Sequence, residues 1–161
     1  MPEVICDVSP IQYLHQTGLL DLLRLRYGAV TIPAAVAAEL REGTLRGVDL
    51  PALESLDWMR IRQPTGRLIL PMITDLGAGE REVLALGTET SGSIVILDDA
   101  LARRYARLLK LTLTGTLGVL LKAKETGLLP AVAPVLDRLQ QLQFRMDPET
   151  RQAVLRLAGE A

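Results

Sequence analysis

The chain has few of the residues from which many protein sites are built. Its 161 residues include one cysteine, Cys6, and one histidine, His15. A disulfide within the chain is therefore excluded, and a zinc site made of cysteine and histidine lacks its donors. A lone cysteine within an apolar stretch also favours a reducing, intracellular setting. We expect a protein that is stabilised by packing rather than by cross-links or zinc.

Aromatic residues and excess charge are also scarce. Aromatics form 3% of the chain against 48% hydrophobic residues, so the predicted core is aliphatic. The formal net charge of −1 gives no overall positive field, and any contact with a polyanion must come from a local patch. The start, MPEVICDVSP, lacks the features of a signal peptide, and no uncharged run is long enough to span a bilayer. We expect a cytoplasmic protein with no membrane segment.

The sequence does contain a regular alternation of short apolar runs and helical patterns. The predicted strands are Val4–Cys6, Ala29–Ile32, Trp58–Arg62 at an edge, Ile94–Leu97 and Leu111–Leu113. Helical patterns lie between them, and residues 63–79 are predicted to be a loop or an exposed ribbon. Such alternation is typical of a parallel sheet with helices on both faces. We predict one α/β domain over residues 1–161, with C-terminal helices at 131–159 as an appendage.

Carboxylates follow two of these predicted strands directly. Asp98 and Asp99 come after Ile94–Leu97, and open α/β sheets bind ligands at the carboxyl ends of their strands. Capping of the next helix alone would also explain Asp99. Asp7 ends the first strand in the same way, and Ser9 is expected to cap a helix that begins at Pro10. If the two strands are neighbours, these acids meet at one edge of the sheet.

Two further acids lie on predicted helices. Glu80 stands in the first turn of the helix that leads into Ile94–Leu97, where the helix dipole alone would favour it. Glu39 lies on the helix after the second strand, and this segment alone indicates only an exposed helical acid. Clustered carboxylates repel one another unless they are protonated or neutralised. A divalent cation with a preference for oxygen, Mg²⁺ or Mn²⁺, would neutralise them, and phosphodiester hydrolysis is the reaction class that follows.

Five segments of the chain, in this order and spacing, resemble the PIN domain, and in particular its branch DUF3368. They lie within residues 4–129 and read CDVSPIQYL, IPAAVAAEL, GEREVLALG, VILDDALARRYA and TGTLGVLLKAKETGLL. PIN domains are a fold of metal-dependent ribonucleases that includes the VapC toxins. The resemblance implies a PIN-like α/β/α sandwich with a central parallel sheet of about four to five strands.

The resemblance also implies a set of site residues. The four catalytic acids of the family correspond here to Asp7, Glu39, Glu80 and Asp99, with Asp98 as a close alternative to Asp99. The implied metal ion, Mg²⁺ or Mn²⁺, would be held by Asp7, Glu80, Asp98 and Asp99.

Other positions are implied to support the site, and two depart from the family pattern. Ser9 matches a small polar residue that helps to hold the site, and Thr114 and Thr116 belong to a motif at the same edge. A threonine-capped turn between strand and helix explains that motif equally well. Glu80 stands where many PIN domains have aspartate, and Leu97 stands where many have serine or threonine.

Three arginines follow the acidic pair along one predicted helix. Arg103, Arg104 and Arg107 either bind the RNA backbone beside the metal ions or form a solvated helix face. Arg103 and Arg104 are the better candidates because they lie closest to the acids. The leucine-rich region Leu14–Leu25 is consistent with a homodimer interface, since PIN domains often dimerise, and equally with ordinary core packing.

These observations lead to one principal hypothesis and two alternatives. The principal hypothesis is a metal-dependent endoribonuclease that cleaves single-stranded RNA, as the toxin of a toxin–antitoxin pair with an antitoxin protein as partner. The first alternative is a catalytically inactive PIN-like module that binds RNA or a protein. The second is a phosphatase with Asp7 as nucleophile, but such enzymes need a second acid two positions later, where this chain has Ser9.

Overall fold

The sheet consists of five short strands, all of them parallel. The computed structural model describes residues 2–66 and 74–161. The strands are β1 Val4–Cys6, β2 Val30–Pro33, β3 Met59–Arg62, β4 Ile94–Ile96 and β5 Thr112–Thr114. Valine and isoleucine are the main residues of β1, β2 and β4, as expected for strands that are buried on both faces. The exposed strand β3 lies at one edge of the sheet.

Helices connect the strands and form the outer layers. Within the described ranges they are α1 Val8–Gln16, α2 Asp21–Tyr27, α3 Ala34–Leu45, α4 Ala78–Glu89, α5 Ala100–Leu108, α6 Thr116–Glu125, α7 Ala133–Gln141 and α8 Pro148–Leu157. A short 3₁₀ helix covers Leu53–Ser55. The predicted α/β/α sandwich with a parallel sheet is therefore confirmed.

The order of the strands across the sheet is β3-β2-β1-β4-β5. The chain runs outward from β1 through β2 to β3, and then returns to the other side of β1 to form β4 and β5. This reversal makes the gap between β1 and β4 the place where open α/β sheets bind ligands. The two strands pair in parallel, with Val4 opposite Ile94 and Cys6 opposite Ile96.

The core is aliphatic, as the composition predicts. Ile5, Ile32, Leu84 and Ile96 are among its fully buried members. The C-terminal helices contribute to the same hydrophobic cluster, since Leu136 on α7 is fully buried and Val154 on α8 is buried as well. The extent of the domain over residues 1–161 stays a prediction. None of the helices in the described ranges is sufficiently long and apolar to cross a membrane.

Two predictions about individual segments are affected by the structure. Ser9 does not cap a helix that begins at Pro10, because α1 already begins at Val8 with Asp7 at its N-cap position. The Ser9 hydroxyl instead donates to a distant carboxylate, as described below. Of the predicted loop at 63–79, residues 67–73 lie outside the described part of the chain.

Candidate active site

Asp7 and Asp98 lie at the carboxyl ends of the two central strands. The backbone N–H of Asp7 donates to the carbonyl of Ile96 at 3.1 Å, which continues the pairing of β1 with β4 beyond Cys6. Leu97 donates in turn to the carbonyl of Thr114, at 2.9 Å. Asp98 then follows at the same edge of the sheet. The prediction that two acids meet where β1 and β4 end therefore agrees with the topology.

Asp7 is buried, with only 5% of its surface exposed. Burial raises its pKa to about 7, because a charged carboxylate loses solvation there. The backbone N–H of Val8 opposes this rise, while the negative charges of Glu80, Glu39 and Asp98 add to it. Burial and the neighbouring negative charges thus together favour the protonated form of Asp7.

Asp98 is held by three hydrogen-bond donors from two other elements. The backbone N–H of Thr116 donates to Oδ1 at 2.8 Å, and the Thr116 hydroxyl donates to Oδ2 at 2.7 Å. The Ser9 hydroxyl also donates to Oδ2, at 3.1 Å. Thr116 is fully buried at the start of α6, so its two donors are fixed in direction. This arrangement orients Asp98 and joins β4, α1 and α6 around it.

Asp99, the neighbouring acid, has a different setting. It is exposed and occupies the N-cap position of α5, where one of its carboxylate oxygens accepts from the N–H of Ala102 at 2.9 Å. Both acids line the same cleft. Asp98 is among the charges that raise the pKa of Asp7. Asp98 is also held by Ser9 and Thr116, whereas Asp99 is bound to its own helix, and this difference in setting favours Asp98.

Glu39 reaches the site from α3. The residue is exposed overall, but its Oε1 accepts from the backbone N–H of Gly79 at 2.7 Å. Partial loss of solvent raises the pKa of this carboxyl, and the charge of Glu80 raises it further against the effect of the Gly79 hydrogen bond. A Cβ at position 79 would lie 2.6 Å from the Glu39 Oε1 and 3.2 Å from the Asp7 Oδ1. Because Gly79 has no Cβ, the carboxylates of Glu39 and Asp7 can both lie next to it.

Glu80 stands in the first turn of α4, one residue after this glycine. Its Oε2 accepts from the N–H of Gly77 at 2.8 Å, so the side chain turns back over its own helix start. Glu80 also lines the cleft together with Asp7. It is therefore both a helix-terminal acid and a member of the cluster.

The cleft beside these acids has a volume of about 340 Å³. Part of its lining is formed by the acids Asp7, Glu80, Asp98 and Asp99 and by Ser9 of α1. The rest of the lining consists of Tyr13 of α1 and the turn between α7 and α8, which contributes Gln143, Phe144 and Arg145. Sequence reasoning missed the turn residues because it treated the C-terminal helices as an appendage.

The three predicted RNA-binding arginines differ in their surroundings. Arg103 is partly buried and donates to the carbonyl of Leu97 at 2.8 Å, and burial lowers the pKa of its guanidinium. Arg104 and Arg107 are exposed and line a larger groove of about 700 Å³ along α5. Thr114 lies in β5 with its hydroxyl against Gly118, and it does not line the acidic cleft.

The chemistry of the donor set fits a hard divalent cation. All the clustered side chains are carboxylates, which are the ligands that Mg²⁺ and Mn²⁺ prefer. No salt bridge within residues 2–66 and 74–161 neutralises Asp7, Glu39, Glu80 or Asp98. In these same ranges, however, no three acids, histidines or cysteines are already spaced as a metal site. Asp7, Glu80 and Asp98 share the cleft, and the carboxylates of Glu39 and Glu80 each accept from a backbone N–H group.

A family model described as DUF3368, a PIN domain, matches residues 3–160. The chain belongs to this PIN-domain family. The match extends beyond the five segments noted in the sequence and includes α7 and α8. PIN domains are usually nucleases, so membership of the family supports a general nuclease or hydrolase activity. Curated proteins and solved structures give no further match to the chain.

Proposed function

We propose that this PIN domain is a metal-dependent endoribonuclease that hydrolyses phosphodiester bonds of single-stranded RNA. The observation that carries the proposal is the buried Asp7, whose pKa is raised to about 7 and whose neighbours are Glu39, Glu80 and Asp98. Burying a carboxylate among other carboxylates is costly unless a cation binds there. Strongly shifted acids in a cleft are also typical of functional sites.

Asp7, Glu80 and Asp98 are the residues that would hold Mg²⁺ or Mn²⁺. Such a cation, when bound, supplies Lewis acidity and an activated water for attack on a phosphodiester. Asp98 is oriented for this role by Thr116 and Ser9. In this proposal the fourth catalytic acid is Asp98 rather than Asp99, which the sequence favoured, because the carboxylate of Asp99 caps α5.

Glu39 is proposed to move a proton during the reaction. The pKa of its carboxyl is raised toward neutral pH, and a group that donates and accepts protons is most effective when its pKa is near the working pH. The hydrogen bond from Gly79 holds its carboxylate beside Asp7. The exposed Arg104 and Arg107 are proposed to attract the RNA backbone from the neighbouring groove, while Arg103 orients the end of β4.

The direct test is cleavage of a labelled single-stranded RNA by the purified protein with Mn²⁺ or Mg²⁺. We expect cleavage that stops in excess chelator and that falls by about a hundredfold or more in Asp7→Asn. Asp57→Asn is the matched control, since Asp57 is exposed and does not line the cleft. Cleavage that persists in excess chelator would exclude the metal-dependent mechanism.

A catalytically inactive PIN-like module is the second candidate function. The observation in its favour is that the described acids are not already spaced as a metal site. Calorimetric titration with Mn²⁺ separates the two candidates. Binding that is lost in Asp7→Asn supports the nuclease, whereas a folded protein with no measurable affinity for Mn²⁺ supports the inactive module.

We further propose that the protein is the toxin of a toxin–antitoxin pair and that it forms a homodimer. Both proposals follow from the resemblance to VapC-type PIN domains, and an antitoxin protein would then be the second partner. Induced expression should stop cell growth, and Asp7→Asn should relieve the arrest. Light scattering of the purified chain measures whether its mass is that of one copy or two.

A further inference from the structure

The turn between α7 and α8 lines the acidic cleft. It contributes Gln143, Phe144 and Arg145, and Tyr13 of α1 lines the cleft as well. The role proposed above uses only the acids. The wall formed by Tyr13 and the turn therefore has a composition that the hydrolytic chemistry does not explain.

The aromatic part of this wall is held in a defined position. Phe144, the one phenylalanine of the chain, packs edge-on against Tyr13 of α1, with ring centroids 5.0 Å apart and an angle of 90° between the planes. The backbone N–H of Phe144 donates to the carbonyl of Leu139 at 3.0 Å. Both rings are partly buried and pack on the core, while also lining the cleft. Two of the chain's few aromatic residues thus meet at its acidic site.

Arg145 adds a positive charge to the same wall. Its side chain is exposed, and within residues 2–66 and 74–161 it makes no salt bridge and no side-chain hydrogen bond. The nearby carboxylates of Asp98 and Asp99 do not bind it, although they line the same cleft. Its guanidinium is therefore available to an anionic ligand.

We propose that Tyr13, Phe144 and Arg145 form a nucleotide subsite that takes one unpaired nucleotide next to the phosphodiester at the acids. Unpaired RNA bases stack on aromatic rings, and arginine binds the adjoining phosphate. A base in a duplex cannot reach such a ring, so the subsite selects single-stranded RNA. This inference rests on the proposed function, since it places the substrate at the same cluster of acids.

The test measures RNA binding rather than cleavage, in an Asp7→Asn background with Mg²⁺. Fluorescence anisotropy gives the Kd of a labelled single-stranded RNA of about 10 nucleotides at several salt concentrations. Adding Arg145→Gln should weaken binding and reduce the slope of log Kd against log salt by about 0.7, the value for one lost phosphate contact on a single strand. Adding Phe144→Leu should weaken binding by about tenfold with no change in slope.

Arg156→Gln is the matched control. Arg156 is exposed on α8 of the same helical hairpin but does not line the cleft, so affinity and slope should stay unchanged. Thermal unfolding identifies any variant that fails to fold. If Phe144→Leu fails to fold, the proposal is still tested by Arg145→Gln, a substitution of an exposed residue, through the slope of log Kd against log salt.

The proposal is overturned if Arg145→Gln and Arg156→Gln give the same slope, or if a duplex of the same sequence binds as tightly as the single strand. Cleavage by the wild-type protein is scored separately. If the wild type cleaves RNA but Arg145→Gln does not change binding, the proposed nuclease function stands and the proposed subsite is wrong. If Arg145→Gln changes binding but the wild type does not cleave RNA, the subsite stands and the nuclease function is wrong.

Discussion

Thr116 holds the Asp98 carboxylate with two groups at once, its backbone N–H at 2.8 Å and its hydroxyl at 2.7 Å. The residue is fully buried, so this pair of donors has little freedom to move. Asp99, one position later, is bound to Ala102 within its own helix. Two adjacent acids with the same chemistry are thus divided between the site and a helix cap.

The first prediction concerns this division. Asp98→Asn should lower RNA cleavage by about a hundredfold. The variant loses a negative charge, and its amide nitrogen cannot accept the hydrogen bonds that Thr116 and Ser9 donate to the carboxylate. Asp99→Asn should stay within a few-fold of wild type, since asparagine caps a helix as well as aspartate does. Initial cleavage rates with Mn²⁺ measure both effects. Equal losses in the two variants would mean that Asp99 also serves the reaction.

The second prediction concerns Gly79. Gly79→Ala places a methyl group 2.6 Å from the present position of the Glu39 Oε1, so the flexible end of Glu39 must move away. We expect slower cleavage, with a change in stability below about 1 kcal/mol because only a side-chain end is displaced. Initial cleavage rates and thermal unfolding measure the two effects. A loss of stability without slower cleavage would contradict the role given to Glu39.

The third prediction concerns pH. The pKa of Asp7 is about 7 in the folded protein against an ordinary value of 3.8, so the folded state keeps a proton that the unfolded state has released. In chelator, this group should stabilise the protein fully below about pH 4 and lose its contribution of about 4 kcal/mol as pH rises through 7.

The comparison of wild type with Asp7→Asn isolates this contribution. Urea unfolding at pH 5 and pH 8 should show a smaller decrease in stability for the variant. Mn²⁺ at pH 8 should stabilise the wild type, because a ligand that binds only the folded state raises its stability. Equal pH dependence of the two proteins would show that Asp7 does not carry the buried charge.

The fourth prediction concerns Glu160, near the end of the chain. Its carboxylate accepts from the N–H groups of Val132 and Ala133, at 2.7 and 3.0 Å, and from Lys124 Nζ at 2.9 Å. These hydrogen bonds lower its pKa to about 2. The stabilisation should therefore be present above about pH 4.5 and be lost as pH falls toward 2. Glu160→Gln should lower Tm at pH 7 by about 2–4 °C.

The exposed Glu149 supplies the control for this substitution, since Glu149→Gln removes the same charge from the other end of α8 without breaking a bridge between elements. The Kd for Mn²⁺ should be unchanged in both variants because neither residue lines the acidic cleft. A Tm that is the same for Glu160→Gln and wild type would show that Glu160 does not anchor α7.

The fold could be predicted well because each strand carries its own signal. The run Ile94–Leu97 is too short for a buried helix and is followed by acids and a helical pattern, and β4 lies at Ile94–Ile96. The start of α1 was predicted two residues late, because Pro10 and Ser9 imitate a helix start there. The serine is committed instead to Asp98, 89 positions away, which local rules cannot detect.

The candidate site was predicted in part. Asp7 and the Asp98–Asp99 pair could be placed because acids at strand ends meet when the strands are neighbours. The choice within the pair depended on Thr116 and on the capping of α5, which are tertiary facts. Phe144 and Arg145 had no local signal beyond the rarity of phenylalanine, because nothing in α7 or α8 indicates which part of the sheet their turn approaches.

The pairing of β1 with β4 has a consequence for the spacing of the two strand-end acids. Three residue pairs, from Val4 opposite Ile94 to Cys6 opposite Ile96, fix how far each strand extends before its acid. A slip of one residue would shift Asp98 by about 3.3 Å along the strand and turn the side chains of β4 to the opposite face of the sheet. The spacing of Asp7 and Asp98 therefore depends on a short ladder of buried apolar residues, and any change that shifted this register would also displace the two acids.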